Sequence, residues 1–404
     1  MESIALALPV LLLFICIEYF IAKKKKLKIY EFNDTVTNLS IGILDRVSAL
    51  LIAGMFYFVY DYLYQHFSIY QIPNIWYTWA ILLILIDFLF YWYHRLGHEV
   101  NLFWSVHVVH HSIDSYNFSV GSRITIFQTL LRMLFWLILP IIGFNAEMIM
   151  LCLLINGVLP FFVHTQLITK LHPAIEYIFV TPSHHKVHHG RNEIYLDKNY
   201  GGIFIIWDRL FGTFQEETET VNFGLTKTIE TRSLLWHFFH FILELYYTIK
   251  QTSGFNSKLK ILFGKPELIS ADLRPILERK FLTPKPSKNI QLSNLFKNYI
   301  IAQIVASLLA LTLILFFYDS LSYSYLWIMS FVILVTLVNC GALLEQKSWV
   351  FYLEYFRLLL FGALIYLINV SWLSGVAFTV IVMCLIYFNS LKNSYIKYLY
   401  NESV

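Results

Sequence analysis

Charge is what this 404-residue chain has least of. Only 14% of its residues are Asp, Glu, Lys or Arg, against about 25% in an ordinary soluble domain. With 58% apolar and 18% aromatic residues, that scarcity excludes water as the solvent for most of the surface and points to lipid. Cysteine is scarce too. Cys16, Cys152, Cys340 and Cys384 all fall inside apolar segments and none has CxxC spacing. They read as small core hydrophobes, and a disulfide scaffold or zinc ribbon is excluded. The alternating pattern of a β-barrel is missing, which leaves the helix as the structure that can satisfy its own backbone in hydrocarbon. There is no repeat at a fixed period, no flavin or NAD fingerprint and no haem-binding module of the cytochrome b5 type. The net charge of +4 sits largely in short loops, which reads as membrane topology and not as a nucleic-acid footprint.

Apolar runs are abundant. A helical crossing needs roughly 20 apolar residues, and nine stretches suit it: 4–22, 39–64, 76–93, 125–143, 147–164, 298–317, 325–344, 349–369 and 372–390. The expected fold is therefore all-α, a polytopic helical membrane protein. The first stretch is followed by Lys23, Lys24, Lys25, Lys26 and Lys28. A secretory signal carries its charge before the apolar run, so this reads as an uncleaved anchor with the lysines in the cytoplasm. Counting crossings from there places 94–124, 164–296 and the C-terminal tail on the cytoplasmic face. Residues 1–34 form the anchor and basic loop, 35–281 a catalytic membrane domain, 282–297 a Pro/Lys linker and 298–404 a four-helix C-terminal bundle. Residues 233–250 suit an amphipathic helix lying at the interface.

Histidine is present in excess and in order. Of 14 histidines, 11 lie between positions 94 and 189, where an even spread would put about three. His94 and His98 form HRLGH, His107, His110 and His111 form HVVHH, and His185, His188 and His189 form HKVHH. On a helix, i, i+3 and i+4 share a face, so each motif can aim several imidazoles at one point. Imidazole suits Fe, Zn, Cu and Ni. Eight nitrogens exceed the four of a tetrahedral site and suit two adjacent metals. His164, closing the fifth apolar stretch, is expected as a ninth ligand, while His184 lies out of phase and is held in reserve. His66, His172, His237 and His240 read as ordinary core or interfacial residues.

Two other classes compete. A zinc protease would need H-E-x-x-H, but Arg95 stands where the general-base glutamate belongs. A metal transporter would hold its sites near the midplane on broken helices, whereas these motifs gather at helix ends on one side. An enzyme on that face fits better.

DFLFYWYHRLGHEVNLFWSVHVVHH at 87–111, TPSHHKVHHGRN at 181–192 and DKNYGGIFIIWDRLFGTFQEE at 197–217 together resemble the fatty acid hydroxylase/sterol desaturase superfamily of membrane di-iron oxygenases. The resemblance covers roughly residues 35–265 and is strongest to the branch that cleaves ether lipids with tetrahydrobiopterin. It implies two iron ions at the histidines, O2 as oxidant and a membrane lipid as substrate, hydroxylated at an unactivated C–H bond. In an ether lipid, hydroxylation beside the ether oxygen gives a hemiacetal that falls apart to a fatty aldehyde and glycerol. Relatives with nearly the same histidines act on acyl chains, sterols or carotenoids. Electrons would come from the pterin or from a separate electron-transfer protein. The membrane would be the endoplasmic reticulum of a eukaryote or the inner membrane of a bacterium.

Supporting residues carry narrower expectations. Asp87, two turns before His94, is placed to receive a ligand's second ring N–H, as metal-bound imidazoles require. Glu99 is placed to bind the pterin's N–H groups, or simply to pair with Arg95 at i, i+4. Asn117, Arg123, Asn192, Asp197 and Tyr200 would orient ligands or shape loops. Trp207, Asp208 and 212–214 look architectural.

Overall fold

In the computed structural model, the described residues are 2–229, 231–282, 293–345, 347, 349–367 and 371–400. Among them there are helices and two isolated bridges, Phe179 with Phe204 and Gly190 with Phe223, but no strand. The chain divides into two compact units, Leu11–Glu230 with His237–Leu282, and Met1–Val10 with Thr231–Trp236 and Thr283–Val404. Most of the expected linker falls outside the described residues.

The first unit contains most of α1 (Glu2–Lys24), then α2 (Phe32–Phe67), α3 (Trp76–Glu99), α4 (Asn101–His111), α5 (Ile126–Phe135), α6 (Ile138–Ile142) and α7 (Ala146–Val158). The short α8 (Pro173–Ile178), α9 (Pro182–His188) and α10 (Ile206–Phe211) follow, then most of α11 (Leu234–Gln251), and α12 (Phe255–Phe263) and α13 (Leu273–Phe281). Phe56, Tyr60, Leu82, Ile86, Trp136, Leu139 and Ile149 pack where α2, α3, α6 and α7 meet. In lipid this packing is favoured by close contact and interhelical hydrogen bonds, because lipid tails are as apolar as the side chains. Tyr60 supplies one such bond, its hydroxyl donating to the Met133 carbonyl at 2.7 Å. Thr129 supplies another, to Asp45 Oδ1 at 2.8 Å.

The second unit carries α14 (Asn294–Phe316), α15 (Tyr323–Leu344), α16 (Val350–Leu367), α17 (Ser371–Ile386) and α18 (Phe388–Tyr400).

Against the nine expected stretches, among the described residues four helical segments are long and apolar enough to span a membrane, Trp76–Glu99, Ala146–Val163, Asn294–Phe316 and Tyr323–Leu344, and up to six if each bent pair is one span. Stretch 125–143 breaks between α5 and α6. Pro140 accounts for it, since its ring clashes with the carbonyl four residues back, at Trp136. Pro160 likewise ends α7 and leaves a 3-10 turn, Leu159–Val163. Helix count alone therefore does not decide on which side of the membrane the histidines lie. Residues 233–250 do form the expected helix, α11, but with His237, Phe238, His240, Phe241, Glu244 and Leu245 buried.

Candidate metal centre

Four short pieces of chain bring the histidines together. The helix ending α3 stops at Val100, whose extended backbone (φ −129°) separates it from α4. Asn101 fixes that joint by donating to the Ile261 and Lys265 carbonyls at 2.8 and 3.0 Å. His94 and His98 on α3 thus face His107 and His111 on α4. Arg123, fully buried, clamps the end of α4 through Val109 O (2.9 Å), Asn38 Oδ1 (2.8 Å) and Ser112 Oγ (2.7 Å). A cation beside the last carbonyls of a helix is also favoured by its dipole. Helix α9 starts at Pro182, the favoured first helical position, and delivers His185, His188 and His189. His164 closes the 3-10 turn after α7.

The nine expected histidines meet as two groups. His94, His98, His107, His111 and His188 form one, and His110, His164, His185 and His189 the other. Within each, one nitrogen per ring lies within 4.8 Å of every other. His94 Nε2 and His107 Nε2 are 3.0 Å apart, His107 and His111 3.1 Å, His164 and His185 2.9 Å, and His164 and His110 3.3 Å. Metal–imidazole bonds of about 2.0–2.1 Å set at right angles put neighbouring ligand nitrogens about 3 Å apart, so the spacing fits an ion in each group. Three further nitrogens, His98 Nε2, His188 Nε2 and His189 Nε2, are buried without a hydrogen-bond partner. Uncompensated burial of a polar atom is costly, and a metal would offset it. For His107, His110, His111, His185, His188 and His189, burial first and the neighbouring rings second hold the imidazole well below its ordinary pKa. That favours the neutral form, the one that binds metal.

Ring orientation is set from the outside. His94 Nδ1–H donates to the Tyr200 carbonyl at 2.7 Å, His188 Nδ1–H to the Lys198 carbonyl at 2.9 Å and His164 Nδ1–H to the Pro160 carbonyl at 2.7 Å. Gln128 Nε2 lies 3.1 Å from His107 Nδ1 while Gln128 Oε1 is buried without a partner, so the amide is better satisfied turned over. With its oxygen toward the ring it accepts that N–H and leaves Nε2 for a metal.

Asp87 is corrected in its contacts. It touches no ligand histidine, because His94 points its second nitrogen at the backbone instead. The Asp87 carboxylate accepts from Ile203 N (2.7 Å), Phe204 N (3.0 Å), Trp207 Nε1 (3.0 Å) and Asn156 Nδ2 (3.1 Å). Asp208 takes the preceding amides, Tyr200 N at 2.7 Å and Gly201 N at 2.8 Å. Two buried acids therefore pin successive N–H groups of the loop whose carbonyls orient His188 and His94. Gly202 is needed there: a Cβ would stand 2.8 Å from Asp87 Oδ1. Asp197 and Asn199 adopt left-handed backbone (φ 58° and 56°), which Asp and Asn tolerate best among non-glycines. Lys198, Tyr200 and Gln128 are the functional groups that sequence reasoning missed or left vague. Two of them act through a main-chain oxygen, which no residue type announces.

Glu99 pairs with Arg95 at 3.0 Å and accepts from the Tyr200 hydroxyl at 3.4 Å. His184, the reserve ligand, is directed away. Its Nδ1 accepts from Thr181 N at 3.3 Å at the start of α9, and its Nε2 lies 3.2 Å from Glu176 Oε2. Asn117 caps a turn by accepting from Ser119 N and donates to the Ile29 carbonyl at 2.6 Å. Asn192 donates to the Thr220 carbonyl at 3.0 Å. Both shape loops.

Two cavities reach the histidines. One of about 180 Å³ touches His98, His111, His188 and His189 and is rimmed by Arg191, Asp197, Lys265 and Glu267. The other, about 60 Å³, touches His94, His107, His110, His164 and His185 and is walled by Phe90, Ile124, Gly157 and Phe161. One is charged at its rim and the other largely apolar.

A helical, membrane-type protein with nine histidines, eight of them buried and His98 half-buried, in two ligand-sized groups has the architecture of a membrane protein with a metal site. The comparisons with known proteins name the family. The fatty acid hydroxylase model matches residues 79–213. Alkylglycerol monooxygenases of Homo sapiens and Danio rerio are each 33% identical over 82% of this chain, covering 75% and 74% of their own lengths. Ornithine lipid hydroxylase OlsE of Rhizobium tropici is 27% identical over 36% of this chain and 44% of its own. No solved structure matches. The chain belongs to the fatty acid hydroxylase family, and it is an oxidoreductase of the monooxygenase kind.

Proposed function

We propose that this chain is a di-iron monooxygenase that hydroxylates a membrane lipid beside an ether oxygen, with residues 35–281 as its catalytic domain. The observation that carries the metal assignment is the division of nine histidines into groups of five and four. Similarity to alkylglycerol monooxygenases over most of the chain supports the ether-lipid substrate. When bound, the irons would supply O2 activation; the chain's own work is to hold, orient and shield. His94, His98, His107, His111 and His188 would hold one ion, and His110, His164, His185 and His189 the other. Backbone carbonyls fix three of the rings, and the apolar wall of the smaller cavity would shield the site and guide an alkyl chain toward it. Tetrahydrobiopterin is the proposed electron source, held at Glu99 beside the charged cavity, in place of a separate electron-transfer protein.

The proposed orientation keeps the histidines cytoplasmic, in the endoplasmic reticulum or a bacterial inner membrane. Its support no longer comes from parity. Asn117, six residues after the first triplet, bonds the Ile29 carbonyl, and Phe118 N donates to Glu18 at 2.8 Å. These bonds tie the loop after His111 to both sides of the Lys23–Lys28 run, and such a run marks the cytoplasmic side.

The test is release of fatty aldehyde from an alkylglycerol by the purified protein, dependent on Fe(II), O2 and pterin. His188→Ala should abolish turnover and lower bound iron while leaving membrane insertion intact. Full activity in that variant would sink the di-iron reading, and metal flux without O2 uptake would favour a transporter. Similarity to a protein named ornithine lipid hydroxylase favours a second reading, hydroxylation of a lipid without cleavage of an ether bond. An intact hydroxylated lipid in place of aldehyde would establish it.

A further inference from the structure

The C-terminal unit contains a cavity of about 530 Å³ among α14, α15, α16 and α18, within the roughly 300–1,000 Å³ usual for ligand pockets. Ala306, Ser307 and Ala310 on one face of α14 leave the space, and most of the wall is apolar. Its polar end is unusual for a membrane interior. Glu354 Oε1 accepts from the Tyr299 hydroxyl at 2.7 Å and from Asn339 Nδ2, and Glu354 Oε2 accepts from Arg357. Arg357 also donates to Gln303 Oε1 and, at 3.2 Å, to Thr336 Oγ1. Intramembrane ionisable residues are rare and functional by default.

The bland alternative is that this network only glues helices together. It explains the Glu354–Arg357 pair but neither the open volume beside it nor Tyr355. Tyr355 lines the cavity, and its buried hydroxyl has no hydrogen-bond partner. A glue site would close over its polar groups, because half-satisfied networks are unfavourable.

We infer that this cavity binds a single-chain amphiphile with an uncharged, oxygen-bearing head, such as a fatty alcohol or a monoalkylglycerol. The tail follows the Ala306–Ala310 wall, and the head oxygen meets the Tyr355 hydroxyl and the Arg357 side of the network. The ion pair is neutral as a whole, and charges interact strongly in low dielectric. An anionic head would therefore oppose Glu354 and a cationic one Arg357. This is a second lipid site, separate from the histidine centre and independent of the reaction proposed there.

The test uses the full-length protein in phosphatidylcholine nanodiscs with a long-chain fatty alcohol bearing a mid-chain diazirine and a terminal alkyne. Mass spectrometry should map adducts to the 299–310 and 332–336 stretches, and unlabelled fatty alcohol should displace them. Fatty-acid anion should compete about tenfold less well, one factor of ten being a modest binding difference. Tyr355→Phe should weaken competition about fivefold, as loss of one hydrogen bond does. Ala310→Phe, or Ser307→Leu should the first not fold, should remove these adducts by filling the space. His188→Ala should leave them in place, which separates this site from the monooxygenase reading. The inference is overturned if adducts fall equally on the outward Leu309 and Leu313 and ignore both competitor and filling variants, for that is bulk lipid. Equal competition by the anion overturns the assigned head chemistry.

Discussion

His94 Nδ1 meets the Tyr200 carbonyl at 2.7 Å across 106 positions of sequence. Tyr200 does not hold that carbonyl in place by itself. Its amide and that of Gly201 are taken by Asp208, which also accepts from Thr213 Oγ1 at 2.7 Å. Asp208→Ala frees the loop and with it the ring of His94. Groups that orient metal ligands from behind typically govern affinity by about 10–100-fold, so metal affinity should fall by that order. Chelator competition on the purified variant measures it. Unchanged affinity alongside a lowered melting temperature would show that the loop serves stability alone.

Adjacent histidines should behave oppositely. His185 Nε2 lies 2.9 Å from His164 Nε2, whereas His184 faces Glu176. Elemental analysis should find two metal ions per wild-type chain, one for each histidine group. His184→Ala should keep both and lose only thermal stability. His185→Ala should lose the ion of the four-histidine group first. Equal loss in both variants would mean that the grouping is wrong.

Why the histidines were legible while their grouping was not follows from helix geometry. Spacing showed that HRLGH, HVVHH and HKVHH could each converge, and they do. Within each triplet the i, i+4 pair, His107 with His111 and His185 with His189, stays in one group, while the i+3 member crosses to the other. At 100° per residue, i+4 is displaced by about 40° and i+3 by about 60° the other way. The split was therefore available from spacing, but only once two facing helices were known. Asp87 was misread for a different reason. Its four partners lie 69 to 120 positions away, and local periodicity carries nothing about them. Pro140 and Pro160, by contrast, were visible breakers inside stretches read as continuous, where apolar run length had outweighed the missing backbone N–H.

Glu99 offers a separable test of the reductant. Its Oε1 accepts from Arg95 at 3.0 Å and from Tyr200 at 3.4 Å, and Glu99 belongs to neither histidine group. Glu99→Gln should leave metal content unchanged and raise the KM for pterin about tenfold, the cost of one or two charge-assisted hydrogen bonds. The KM for the lipid should not move. A variant with wild-type pterin KM would leave Glu99 as the partner of Arg95 and nothing more.

Gly157 addresses how the alkyl chain arrives. It lies in the apolar span Ala146–Val163, is exposed, and borders the 60 Å³ cavity that reaches five of the histidines. A Cβ added there meets nothing within 4 Å, so a large side chain can be accommodated without disturbing the packing. An exposed residue inside a span faces lipid, and a bulky group there would stand across the approach from the bilayer. Gly157→Trp should therefore raise the KM for long-chain lipid by about tenfold or more, with metal content and melting temperature close to wild type. Gly157→Ala should be nearly silent. The charged cavity near Lys265 lies apart from this residue, so the pterin KM should stay constant in both variants. If Gly157→Trp turns over long-chain substrate normally, the chain reaches the metals by another route, and the apolar cavity is a packing gap.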